Sequence, residues 1–274
     1  VVLEFLRPAG GVFAEAMIGM QLFRRRPPTV KIPPDILSEI RAGILVCTSP
    51  RSGSNHLAGL MASAGLGNPL EWFGGRRLLE LPGYPREPSA QLLRALTEGR
   101  SSSGVYAIKL FASQFAQVAK KVNLPASLPN PRYVRLTRSD LLGQAISWAR
   151  ARQTRRFRST EVSHAPPRYD SGAIAESLEK ILMENLAWDA WFAKNGLSFL
   201  ALTYEQIQQD PVGSLKTIAQ LAGVEPVWRT NLESGLEVQR DAINDEWRKR
   251  FLSEYTDPSS FRHGKNYIRG FLKN

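Results

Sequence analysis

Apolar and polar positions follow two alternating rhythms along this chain. Short apolar, β-branched runs at about 43–48, 105–110, 132–137 and 198–203 read as strands. Between them, apolar residues recur at three- and four-residue spacing, which predicts helices near 53–64, 89–97, 113–121, 139–157 and 171–195. Leu57, Leu60, Met61 and Ala64 form one such stripe. Trp188, Trp191 and Phe192, at helical spacing with Leu186, read as the core face of the last helix. Strands alternating with helices predict an α/β fold with a parallel sheet and right-handed crossovers. Two stretches break the rhythm. Residues 82–88 hold three prolines and Gly83, and residues 159–168 end in Pro166-Pro167. Both are candidate lids. No internal repeat is visible.

The junction of the first strand and first helix carries the strongest chemical signal. The run Ile44, Leu45, Val46 stops at Thr48-Ser49-Pro50, where proline bars the ladder. Arg51, Ser52, Gly53 and Ser54 then lead into the helix. A strand, a short Gly/Ser loop and a helix N-terminus make an anion site, because the first-turn N–H groups and the helix dipole favour negative charge. Arg51 adds a planar fork for oxyanions, and the serine hydroxyls would complete the cradle. The plainer reading is a helix capped by Ser52 or Ser54 with Arg51 in solvent. The loop is not a Walker A motif, since it lacks both the lysine and the early glycine.

A second junction repeats the pattern. The strand Arg132 to Thr137 ends in Arg138-Ser139-Asp140, and a helical stripe of Leu141, Leu142, Ala145, Ile146 and Ala149 follows. Ser139 or Asp140 can cap that helix. Arg138 falls where open parallel sheets bind ligands, at the carboxyl end of a strand. Ser147 lies on the adjoining helix and can meet the same anion. A solvated arginine at an ordinary strand-to-helix turn is the alternative.

Taken together these segments resemble the sulfotransferases that use 3′-phosphoadenosine 5′-phosphosulfate (PAPS), and most closely the bacterial trehalose sulfotransferase-like family. The resemblance covers about residues 43–252. It includes the Arg-Ser-Gly-Ser loop, Gly67 to Phe73, Asp140 to Trp148, Arg150 to Arg155, Leu202 to Glu205 and Asn244 to Trp247. It implies a P-loop-like three-layer fold, a central parallel sheet flanked by helices. It also implies that Arg51, Ser52, Gly53 and Ser54 hold the 5′-phosphosulfate, and Arg138 and Ser147 the 3′-phosphate. Two positions depart from the family pattern. Asn55 and then His56 stand where a threonine often follows the Ser-Gly-Ser, and an amide can still donate to an oxyanion. Val238-Gln239-Arg240 stands where Arg-Gln is usual, so Arg240 is the candidate for a displaced phosphate contact.

The same resemblance bears on catalysis. Animal-type cytosolic sulfotransferases carry Lys, one residue, then a catalytic His on the second strand; here Lys109 is followed by Leu110 and Phe111. Phenylalanine cannot accept a proton. The resembled family uses the glutamate matching Glu71 as base, and Trp72 and Phe73 beside it would exclude water. His56 is the next candidate. Arg51 would neutralise the leaving oxygen and Lys109 would steady the sulfuryl group, with a snorkelling structural lysine as its alternative. Trp72, Phe73, Trp148 and Gln153 are candidate acceptor contacts, since aromatic faces pack on sugar rings and amides bond hydroxyls. A core role is the alternative for Trp148. Tyr204-Glu205 reads as structural.

Composition narrows the field only a little. The chain has 274 residues, enough for one sizeable core. Its net charge is +11 and its pI near 10.0, which favours polyanions or acidic membrane surfaces. A basic nucleic-acid-binding protein fits that charge, but no zinc pattern or RNA-binding motif accompanies it. An atypical nucleotide kinase would need the missing loop lysine. The one cysteine, Cys47, excludes an internal disulfide, and His56, His164 and His263 have no metal-ligand spacing. Residues 1–42 read as an N-terminal extension before a sulfotransferase domain at 43–274. Phe13, Met17 and Met20 share a helical face ahead of Arg24-Arg25-Arg26, and Lys31 to Pro34 reads as a linker. That face can dock on the protein, on a partner or on a membrane surface. With no signal peptide or membrane span evident, the expectation is a cytoplasmic enzyme, peripheral to the inner membrane at most. It would act on a carbohydrate or glycolipid acceptor, with no metal, no nucleic-acid partner and a homodimer left open.

Overall fold

The computed structural model describes residues 27–157, 161–162, 164–227 and 242–255. Arg240, the candidate N-terminal helix and part of the second candidate lid lie outside these residues.

Four parallel strands form one sheet in the order β2-β1-β3-β4. They are β1 (Ala42–Thr48), β2 (Val105–Phe111), β3 (Pro131–Thr137) and β4 (Leu200–Thr203). β1 is central, with Val46 facing Lys109 on one side and Val134 on the other. Its alternating side chains fill two layers. Leu45 and Cys47 join Trp72, Leu92, Leu110 and Trp188, while Ile44 and Val46 join Leu57, Leu60, Met61 and Leu215. All lie at or below 2% exposure, and each such apolar side chain contributes about 1.5–3 kcal/mol. The expected three layers follow from this two-sided burial. Because β1 continues to β2 on one side while β3 lies on the other, the strand order reverses at β1, and the crevice at its carboxyl end is where such sheets bind ligands.

The helices that frame this crevice begin at local stops. α1 (Pro34–Ser38) precedes β1, and α2 (Ser54–Ser63) starts after Gly53. α3 (Arg76–Leu79) and α4 (Pro88–Glu98) lead into β2. α5 (Ala112–Val118) and α6 (Leu124–Ser127) follow it. α7 (Leu141–Thr154) is capped by Asp140, whose Oδ1 accepts from Gly143 N–H at 2.9 Å. α8 (Ser171–Asn195) is capped in the same way by Asp170 and ends at Gly196, φ 59°. After β4 come α9 (Tyr204–Gln209), α10 (Pro211–Ala222) and α11 (Ala242–Tyr255). Helices were not expected beyond residue 195, although Thr203 and Asp210 are N-caps and Pro211 suits a first helical position.

The segment read as a linker is packed instead. Val30, Ile32 and Ile36 lie against the core, Val30 N–H donates to Ser127 Oγ at 2.9 Å, and Asn123 N–H donates to Pro28 C=O. Apolar residues interleaved with the prolines explain the difference. Among the described residues, no helix is long and apolar enough to cross a membrane.

Candidate functional site

The loop after β1 is tightly held from behind. Thr48 Oγ1 donates to Leu136 C=O at 2.9 Å, which leaves Ser52 Oγ to donate to Thr48 at 2.6 Å. Ser52 is fully buried, so its hydroxyl braces the loop and does not reach the crevice, contrary to the two-hydroxyl cradle expected. Gln144, on α7, ties down the same turn through Ser49 Oγ at 3.0 Å and Pro50 C=O at 2.6 Å. Arg51 and Gly53 both have positive φ, 62° and 84°. For Arg51 that is a costly conformation of the sort held at functional sites. Arg51, Gly53, Ser54, Asn55 and His56 all face the crevice.

Cations converge there. Arg51 Nε donates to Ser147 Oγ at 2.9 Å, and its Nη1 donates to the Phe157 carbonyl. Arg138 reaches the Arg51 carbonyl at 3.5 Å and lies 5.3 Å from the centre of the Tyr204 ring. Burial, reinforced by the charge of Arg138, pushes the Arg51 guanidinium down to about 10, against the opposing pull of Glu161. A half-buried pair of guanidiniums that disfavour each other is a site made for a polyanion. Behind Arg138, Glu205 accepts from Ser139 N–H at 3.0 Å and Asp140 N–H at 3.4 Å. Asp140 also pairs with Arg248 at 2.6 Å. Burial alone would raise the Asp140 carboxyl, but the Arg248 and Gly143 donors outweigh it and hold it below its ordinary value. Burial pushes His56 in the neutral direction.

The opposite wall carries the candidate base. Leu70 pairs with Ile108 beyond the edge of β2, and Lys109 N–H donates to Leu70 C=O at 3.0 Å. This extra rung brings Glu71 beside the Lys109 side chain, with Oε1 3.0 Å from Nζ. Lys109 Nζ also donates to Asn55 Oδ1 at 2.5 Å, linking this wall to the anion loop. Gln114 Nε2 donates to Glu71 Oε2 at 3.1 Å. Lys109 is almost wholly buried at 3% side-chain exposure, so it is a paired internal charge and not a snorkelling one.

Three expected acceptor contacts fall elsewhere. Trp72 is 2% exposed, and its indole N–H faces the carbonyls of Asn68 and Ala107, both at 3.1 Å. Phe73 is 5% exposed in the same core. The turn that aims Glu71 outward sends its aromatic neighbours inward. Gln153 accepts from Arg168 N–H at 3.0 Å and is not on the cavity wall. Trp148 does line the cavity. Tyr204, expected to be structural, lies on the wall too, and Gln114, Phe157, Glu161 and Glu184 join it without a sequence signal that singled them out. For Tyr204 a signal existed, since it follows a strand at its carboxyl end.

The cavity measures about 860 Å³ and runs from the Arg51 loop to Glu71. It is large enough for a nucleotide and a second substrate together. Its chemistry fits a phosphorylated nucleotide at one end: two half-buried guanidiniums, the start of α2 and a strand-end crevice. A carboxylate stands at the other end. Fold and site thus define an α/β enzyme of group transfer from an anionic donor.

The chain belongs to the Stf0 sulphotransferase family, which matches residues 43–254. The protein is a PAPS-dependent sulfotransferase. Trehalose 2-sulfotransferase of Mycobacterium tuberculosis is 28% identical over 219 residues, 68% of this chain and 79% of that protein. Its namesake in Mycolicibacterium smegmatis is 26% identical over 258 residues, 78% of this chain and 96% of that one. The sulfotransferase domain of the Synechococcus PCC 7002 olefin synthase, at 16% identity, superposes with a TM-score of 0.41 over 82% of this chain and 89% of its own.

Proposed function

We propose that the protein sulfates a sugar hydroxyl, with Glu71 as general base and Arg51 and Arg138 as the donor's phosphate clamps. One observation carries the reading: a carboxylate and a buried lysine, 3.0 Å apart, stand on the cavity wall joined through Asn55 to the anion loop. PAPS supplies an activated sulfuryl group. Arg51, Ser54 and Asn55 hold its 5′ end, and Gly53 gives the loop its turn, while Ser52 acts only as brace. Arg138 and Ser147 serve the 3′-phosphate. Lys109 faces the reacting end, where a fixed cation stabilises charge that grows in transfer. Glu71 takes the proton of the acceptor hydroxyl.

Both relatives are named for trehalose, which supports a carbohydrate acceptor. Beside its charged groups, the wall around Glu71 carries the apolar side chains of Leu70, Leu78, Leu81 and Phe111, and Leu81 is half exposed at 51%. That wall suits a sugar bearing an apolar group, as in a glycolipid. The same reading puts the enzyme in the cytoplasm, touching the inner membrane only to reach such an acceptor. Acceptor screening with radiolabelled PAPS tests this, comparing trehalose, glucose and octyl glucoside. Labelled product from none of them, despite binding of adenosine 3′,5′-bisphosphate, would remove the sugar assignment. A Glu71→Gln variant tests the base: kcat should fall by about 10²–10⁴-fold with nucleotide affinity unchanged.

A further inference from the structure

Gln114 belongs to no expected motif, yet it is the best-anchored side chain at the reacting end. Its Oε1 accepts from Phe111 N–H at 3.1 Å, at the point where β2 passes into α5. Its Nε2 donates to Glu71 Oε2, also at 3.1 Å. An amide with both ends engaged cannot rotate without losing two hydrogen bonds. The turn that carries it is held as well. Glu184, on α8, accepts from Ser113 N–H with both carboxylate oxygens at 3.2 Å. Glu184 is itself buried at 8% exposure and lies on the cavity wall.

Glu71 therefore meets one donor on each oxygen, Lys109 on Oε1 and Gln114 on Oε2. Two fixed donors in different directions set the plane of a carboxylate, and so the direction of its remaining lone pairs. A base must bring a lone-pair oxygen within about 2.6–3.2 Å of the oxygen whose proton it takes. Lys109 alone cannot impose this, because an ammonium is a point charge without a preferred plane.

We propose that Gln114 is the positioning residue for the base, holding the Glu71 carboxylate aimed at the acceptor hydroxyl. The inference rests on the general-base reading of Glu71. Arg76 and Arg77 of α3 and Lys180 and Glu184 of α8 are the other charged groups on this part of the wall. Glu161 and Arg51 close it from the nucleotide side.

Two variants separate positioning from mere stability. Gln114→Glu keeps the length and the acceptor for Phe111 N–H, so α5 stays capped, but it replaces the amide donor with a second carboxyl. Gln114→Met keeps the length and loses both bonds. A helix-capping role alone predicts near-normal activity for Glu and a loss for Met. The positioning role predicts a loss in both, because each removes the amide donor to Glu71. Each variant should lose about tenfold or more in kcat, with acceptor KM and adenosine 3′,5′-bisphosphate affinity nearly unchanged, since a small misplacement of a reacting group has effects of that size. If Gln114→Glu keeps wild-type kcat, the inference is overturned while the base remains. If Glu71→Gln keeps its turnover, the base reading falls and this inference falls with it.

Discussion

Gly53→Ala is the substitution whose outcome the geometry constrains most closely. Gly53 has φ 84°, and a Cβ added there would lie 2.1 Å from Tyr204 Cδ2 and 2.7 Å from Cε2. The ring must retreat by more than an ångström to reach ordinary contact. It has little room, being 7% exposed with the Arg138 guanidinium 5.3 Å from its centre. A left-handed backbone costs a non-glycine residue about 1–2 kcal/mol, and overpacking a buried site costs about 1–3 kcal/mol more. The variant should therefore lose about 2–5 kcal/mol of stability by urea denaturation. Displacing Tyr204 also displaces Arg138, so calorimetry should show adenosine 3′,5′-bisphosphate binding weakened about tenfold or more, as for a lost charge-assisted bond. The two parts separate in a Tyr204→Ala background, where only the backbone part, about 1–2 kcal/mol, should remain. An equal cost in both backgrounds, or a single variant within about 0.5 kcal/mol of wild type, the range of ordinary surface changes, would refute the reasoning.

Arg138→Ala should weaken binding of the 3′-phosphorylated nucleotide about tenfold to a hundredfold while barely affecting a 3′-dephospho analogue; equal losses in calorimetry would remove the 3′-phosphate assignment. Trp72→Ala should cost about 3–5 kcal/mol in denaturation without a specific rise in acceptor KM, because the ring is core. Asp140 is held below its ordinary value despite burial, by Arg248 and the Gly143 N–H. A depressed carboxyl contributes stability that is full above its unfolded value, about 3.9, and is lost as pH falls through the lower folded value. Asp140→Asn should thus be destabilised against wild type at pH 7, and the gap should close below about pH 4, as denaturation at three pH values would show.

The alternation of strand and helix, the anion loop at residues 51–54 and the strand-end Arg138 were all readable along the chain. Each is a local signal: period, capping residues, or a charge next to a break in apolar pattern. The four strands appear where expected to within two residues. The roles of neighbouring residues were not readable in this way. Ser52 and Ser54 look alike in the loop, but only contact with Thr48, itself bonded to Leu136 eighty-eight residues away, turns Ser52 into a brace. Trp72 and Glu71 are adjacent, yet the rung between Leu70 and Ile108 aims one outward and the other into the core. Gln114 and Glu71 meet across forty-three residues of chain. Sequence alone determined the α/β architecture and the strand–loop–helix junctions that carry Arg51 and Arg138, because those depend on interactions within a strand–loop–helix unit. The tertiary structure decided which side chains line the cavity, because that depends on sheet register and helix docking, and these are set by burial summed over distant segments.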